Sequence, residues 1–156
     1  MKLRKYDQRD LHQIIELFYD TVHSINRGDY SISQVNAWAN PDDKDYRYSK
    51  WGSALNQNFS YVAEKEKEIV GFIDMTSAGF LDHLYVHRNY QREKIASELL
   101  EIIETIARDQ KLTVITTEAS ITARPFFEKR NFQVTASQIV KTNGVLMNNY
   151  VMMKRL

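Results

Sequence analysis

Apolar residues first recur at helical spacing at Leu11, Ile14, Ile15, Phe18, Val22 and Ile25, with polar residues between them. That stripe predicts an amphipathic helix. Asp7 and Asp10 stand just ahead of it, placed as an N-cap and a first-turn acid. Gly28 in "NRGD" marks its end, because glycine takes the left-handed conformation that closes helices. "KLRKY" before it reads as a short strand. "SISQVNAWA" reads as a second helix capped by Ser31 or Ser33, and "YSKWGSALNQ" as a third short helical piece. "ANPDDKDYRYSK" carries the weakest pattern and reads as a loop inside the domain.

The pattern then changes. "YVAE" and "IVGFIDM" are rich in strand formers and flank the charged turn "KEKE", which predicts a hairpin. "GFLDHLYVH" continues the meander as a third strand. Helical spacing returns at Ile95, Leu99, Ile102, Ile103 and Ile106. "KLTVITTEAS" reads as a buried central strand, and "ITARPFFEKRN" as a short helix. "FQVTASQIVKTNGVLMNNYVMMKRL" reads as a closing hairpin turning at Asn143-Gly144. The order β-α-α-β-β-β-α-β-α-β-β places the chain among α/β (α+β) proteins, with a mixed sheet and helices on both faces.

Composition narrows the function more than the fold. At 156 residues the chain suits one domain, residues 1–156, with one core. A formal net charge of +1 exerts no general pull toward nucleic acid or an anionic membrane. Any anion site must therefore be local. There is no cysteine, which excludes disulfides, cysteine metal sites and a thiol nucleophile, and suits a reducing cytoplasm. "MKLRKYDQRDL" lacks the apolar run of a signal peptide, and no stretch approaches the ~20 apolar residues of a membrane span. His83 and His87 alternate along one strand face without a third ligand at fitting spacing, so no metal is expected.

The densest chemistry lies in "VHRNYQREKIASELL", a strand end, a turn and a helix start. A helix N-terminus offers unpaired N–H groups and partial positive charge, which suit a phosphate. Arg88, Arg92 and Lys94 add cations. An ordinary solvated helix start would carry the same residues. The stretch also resembles the acetyl-CoA signature of the GNAT N-acetyltransferase superfamily, Gln/Arg-x-x-Gly-x-Gly/Ala. Gln91 and Ala96 match its ends, and Lys94 stands at the usual glycine. "SITARPFFEKRNF" resembles a second family pattern, Asn-x-x-Ala-x-x-Phe-Tyr-Glu-x-x-Gly-Phe. Ala123, Phe126, Glu128 and Phe132 match, whereas Ser120, Phe127 and Asn131 depart from it.

The resemblance implies a mostly antiparallel central sheet of about seven strands whose fourth and fifth strands splay apart. It implies acetyl-CoA in that gap as co-substrate. The pantetheine would pair with the backbone of Leu84, Tyr85 and Val86. The pyrophosphate would lie on the turn formed by Gln91, Arg92, Glu93, Lys94, Ile95 and Ala96, and Ser97, Ser120, Phe126, Phe127 and Lys129 would complete the CoA contacts. The implied activity is acetyl transfer to a primary amine of a small molecule or peptide. A CoA-binding module without catalysis is the alternative.

Glycine is required at a cradle only where φ is positive or a side chain would collide with the ligand. A helical backbone at Lys94 is therefore expected, and Asn131 is expected to tolerate the left-handed region. A protonated amine is inert, so a base is needed. Asp82, direct or through water, and His23 are the candidates. A backbone N–H near Val86 would support the oxyanion. Phe127 replaces the tyrosine that commonly protonates the leaving thiolate, leaving that step unassisted or assigned to Tyr85 or Tyr90. His23, Asn26, Tyr30, Trp38 and His83 are expected to shape the acceptor pocket. The apolar "VLMNNYVMM" suits either core or a homodimer surface.

Overall fold

A computed structural model describes residues 1–156. Its strands are β1 (Lys2–Lys5), β2 (Phe59–Lys65), β3 (Glu68–Met75), β4 (Phe80–Val86), β5 (Val114–Ser120), β6 (Gln133–Thr142) and β7 (Val145–Arg155). Its helices are α1 (Leu11–Ser24), α2 (Ile32–Trp38) and α3 (Lys44–Gln57), all before β2, then α4 (Ile95–Asp109) and α5 (Arg124–Lys129). The seven strands form one sheet in the order β1-β2-β3-β4-β5-β7-β6. Every pairing is antiparallel except β4 with β5. No helix is long and apolar enough to cross a membrane.

The helix starts follow their caps. Asp7 and Asp10 form a capping box ahead of α1, and Arg4 holds buried Asp10 through two bonds of 2.8 and 2.9 Å. Ser31, not Ser33, caps α2 and shares its own capping box with Gln34. The stretch expected to be a loop is instead a 3₁₀ turn, Pro41–Asp43, running into α3. The expected third helical piece before β2 is thus a full helix of 14 residues, which the order of elements read from the sequence left out. The local pattern is weak because α3 buries only Trp51 and Leu55.

Two cores lie on opposite faces of the sheet. One packs α1, α2 and α3 through Ile14, Phe18, Val35, Trp51 and Leu55 against Val62 and Phe72. The other packs α4 and α5 through Ile95, Leu99, Ile103 and Phe127 against Val70, Leu81, Ile115 and Met152. Each such fully buried side chain contributes about 1.5–3 kcal/mol. Gly71 on β3 lets the first turn of α4 sit close. A Cβ there would lie 2.9 Å from Ile95 Cγ2 and 3.3 Å from Leu99 Cδ1. Asn143 and Gly144 turn the closing hairpin with φ of 46° and 79°, as the sequence predicts.

Candidate active site

The sheet opens between β4 and β5. Only Phe80 with Thr116 and Leu81 with Thr117 are paired, after which the strands separate. Thr117 Oγ1 donates to the Leu81 carbonyl at 2.8 Å and closes the ladder there. Beyond Leu81 the β5-facing edge of β4 has no strand partner. A cleft of about 220 Å³ occupies the gap. Leu84, Tyr85, Val86, Gln91, Ala96, Ser120, Phe126 and Phe127 line it beside Asn26, Trp38 and Asp82.

A β-bulge sets which side chains face which mouth of this cleft. Asp74 pairs with His83 and Met75 with Leu81, so Asp82 is the extra residue. A bulge bends its strand and re-aims a side chain. Leu81 and Leu84 consequently both join the α4 core, while His83 meets Trp51 and Phe72 on the α1–α3 face. Asp82 goes with His83, its Oδ1 lying 3.7 Å from His83 Nε2. Without the bulge, strict alternation would put Leu81 and His83 on one face.

On the α4 face, the turn before the helix contradicts the expected helical backbone at position 94. Lys94 has φ 64° and ψ 13°, in the left-handed region, and Arg92 is also left-handed at φ 62°. Left-handed residues in a turn aim successive N–H groups into one concavity, which is an anion-binding nest. The turn has kept the geometry of the glycine it lacks. That geometry costs about 1–2 kcal/mol for a residue with a Cβ. Asn131 is left-handed as expected, at φ 70°.

The remaining predicted CoA residues divide by position. Gln91 Nε2 donates to the Val86 carbonyl at 2.7 Å and locks the turn to the end of β4. Ile95 is 1% exposed and serves the core, so only its backbone faces the turn. Glu93 pairs with Lys65 at 3.2 Å, and Ser97 accepts a hydrogen bond from Arg130. Lys129 is exposed in the last turn of α5, outside the cleft wall. Ser120 Oγ accepts from the Ala123 N–H at 3.0 Å and shapes the entry to α5. Phe127 is buried among Phe126 and Phe132 and carries no acid.

On the α1–α3 face, Asn26, Trp38 and Tyr85 line the cleft, and His23 and Tyr30 do not. His23 Nε2 lies 2.8 Å from the Ala39 carbonyl. The Tyr30 hydroxyl accepts from the Ile121 N–H at 2.9 Å and donates to the Asn148 carbonyl at 2.8 Å. Both roles offered for His23, base and acceptor contact, therefore lose their geometric basis. Tyr30 braces the wall between β5, β7 and the loop into α5. Tyr85 stacks on Phe72 and meets Phe18 edge-on, and burial pushes its hydroxyl pKa up. Tyr90 lies outside the cleft, with its ring against His87 and under Lys65.

Sequence reasoning missed the buried support of this face. Asp74 is fully buried on β3. Its Oδ1 meets His83 Nδ1 at 2.9 Å, and its Oδ2 accepts from Asn58 Nδ2 at 2.9 Å. Trp51 lies against the His83 ring, with centroids 4.3 Å apart. Burial alone would lower the pKa of His83, but the hydrogen bond and charge of Asp74 outweigh it and leave the value raised. Burial raises Asp82, and the neighbouring His83 only partly opposes this. The signal was one acid inside the otherwise apolar "IVGFIDM". His87 lies apart from this cluster, with Nε2 3.8 Å from Glu68, so the two histidines share no site.

A mixed sheet split between parallel neighbours, with a left-handed turn and a helix start at one side of the split, is the architecture of a GNAT-type N-acetyltransferase. Comparison with known proteins agrees. The acetyltransferase (GNAT) domain family matches residues 27–154. The chain belongs to this family of N-acetyltransferases. It is 34% identical over 152 residues to the uncharacterized N-acetyltransferase YafP of Escherichia coli K12, covering 97% of this chain and 94% of that one. A GCN5-related N-acetyltransferase structure from Rhodopseudomonas palustris superposes with a TM-score of 0.92 at 27% identity, over 99% of this chain and 95% of that chain. The PaiA N-acetyltransferase of Thermoplasma acidophilum, solved with coenzyme A, shares the fold with a TM-score of 0.79 at 20% identity, over 99% and 98% of the two chains.

Proposed function

We propose that this protein moves the acetyl group of acetyl-CoA to a primary amine of a small molecule or peptide, by direct attack within the β4–β5 cleft. The observation that carries the reading is the division of the cleft between two faces. The α4 face presents a left-handed turn and a helix N-terminus to a phosphate group. The α1–α3 face presents a carboxylate, Asp82, beside Trp38 and Tyr85. The edge of β4 from Leu84 to Val86, unpaired by β5 and with its Val86 carbonyl held by Gln91, joins them and fits an extended amide-bearing chain.

Asp82 is the base in this reading. Burial lifts its pKa, which moves it toward the range useful for accepting a proton at neutral pH. The backbone near Val86 supports the oxyanion. Phe127 leaves the thiolate without a tyrosine at that position. A thiol of pKa about 8.5 leaves tolerably unaided, and Tyr85 is the phenol that lines the cleft.

The test is thiol release from acetyl-CoA across a panel of amines, with Asp82→Asn beside the parent enzyme. Turnover with at least one amine, and a fall of about 10²–10⁴-fold in kcat for Asp82→Asn, is the expected result. Binding of CoA with no thiol release would assign the chain to the alternative role of CoA-binding module. A protein that binds no CoA would overturn both.

A further inference from the structure

We infer that His83, held by Asp74, receives the acceptor's proton from Asp82, so that Asp74, His83 and Asp82 form a proton relay behind the cleft. The inference rests on Asp82 acting as the base. Its support is the geometry. His83 Nδ1 lies 2.9 Å from a carboxylate that is fully buried and pinned on its other oxygen by Asn58. Asp74 therefore accepts from Nδ1–H, which leaves the lone pair on Nε2. Nε2 points toward Asp82 Oδ1, 3.7 Å away. That gap exceeds a direct hydrogen bond, and rotation of the half-exposed Asp82 carboxylate or one water closes it. The bulge at Asp82 is what turns both side chains to the same face.

Charges facing the pair come from each neighbouring element. Asp74 comes from β3, Arg47 and Lys50 from α3, and Glu118 from β5. Arg47 opposes a proton on His83, and the acids favour it. The acids prevail, and the imidazole is a stronger base than a free histidine. A plain structural histidine has no need of a lone pair aimed at a cleft carboxylate. A carboxylate acting alone would have to keep the proton itself. The relay moves that charge onto an imidazole whose counter-ion is built in.

The protons balance as follows. The acceptor arrives as an ammonium ion and gives one proton to Asp82, which hands it to His83 Nε2. The amine lone pair attacks the thioester carbonyl, the N–C bond forms and the C–S bond breaks. The nitrogen's surplus proton ends on the CoA sulfur, and His83 returns its own to water.

The test compares the pH dependence of kcat/KM in the parent enzyme, Asp74→Asn and Asp82→Asn. The imidazole titration of His83 is followed by NMR in the parent. The expected result is an acid limb whose midpoint matches the His83 titration. In Asp74→Asn this limb moves about one pH unit lower, a tenfold loss of proton affinity, and kcat falls while CoA affinity stays within about twofold. A limb unmoved in Asp74→Asn, or a His83 titration that does not match the limb, would overturn the relay. The NMR comparison decides the question even where Asp74→Asn does not fold. Full kcat in Asp82→Asn would instead remove Asp82 as the base, a failure distinct from that of the relay alone.

Discussion

Replacing Lys94 by glycine probes the turn where the backbone departs from expectation. Lys94 holds φ 64° with a Cβ present. Relief of that conformation gives about 1–2 kcal/mol. Glycine returns part of it, because it widens the unfolded ensemble by about 0.4–1 kcal/mol. The net is a stabilisation of about 0.5–1 kcal/mol. For a chain of this size that raises Tm by roughly 1–4 °C. In the proposed function the binding group is the backbone N–H set, which the substitution leaves in place, so CoA affinity should stay within about tenfold, or ~1.4 kcal/mol. Lys94→Ala separates charge from backbone, since it removes the ammonium but keeps the Cβ. Urea unfolding and calorimetric CoA titration of both variants make the assay. Glycine should stabilise and alanine should not, while both shift CoA affinity equally. Equal stabilisation by alanine would show that φ is not the cause. Complete loss of CoA binding in either variant would show that the lysine side chain is itself the anchor.

Three other outcomes are expected. Gly71→Ala should destabilise by about 1–3 kcal/mol in urea, because its Cβ would sit 2.9 Å from Ile95 and force the first turn of α4 outward; CoA affinity should weaken with it, and an unchanged affinity would separate the turn from β3 packing. Tyr85→Phe should lower kcat by about 10²-fold, at the small end of general acid effects, and Tyr90→Phe should leave it unchanged. The His83 pKa is raised in the folded state, so its contribution to stability is fully present below the ordinary value near 6.5 and is lost as pH rises through the folded value. Unfolding free energies against pH should show this decline above about 6.5 in the parent, and it should be absent from Asp74→Asn.

Much of this site was legible along the chain because it is local. The turn from Gln91 to Ala96 is a contiguous strand end, turn and helix start, and its residues signal a helix N-terminus without reference to anything distant. The caps at Asp7, Asp10 and Ser31, the Asn143-Gly144 turn and the α4 stripe are local for the same reason. Residues such as Tyr30 and His23 looked chemical because polar and aromatic groups cluster there in sequence. Their partners, the Ile121 N–H and the Ala39 carbonyl, lie on other segments, and only packing reveals that these groups are already satisfied.

Hydrophobic period and turn chemistry by themselves determined the strands, the principal helices and the place of the turn from Gln91 to Ala96, since each depends on neighbours within about four residues. Tertiary structure decided the left-handed backbone at Lys94, where the helix must start close against Gly71. It also decided the bulge at Asp82, which exists only as a shift in the register between β3 and β4. That shift brings Asp74, Asp82 and His83 within 4.8 Å of one another. No spacing along the chain encodes a register between two strands, because the register is a property of the pair.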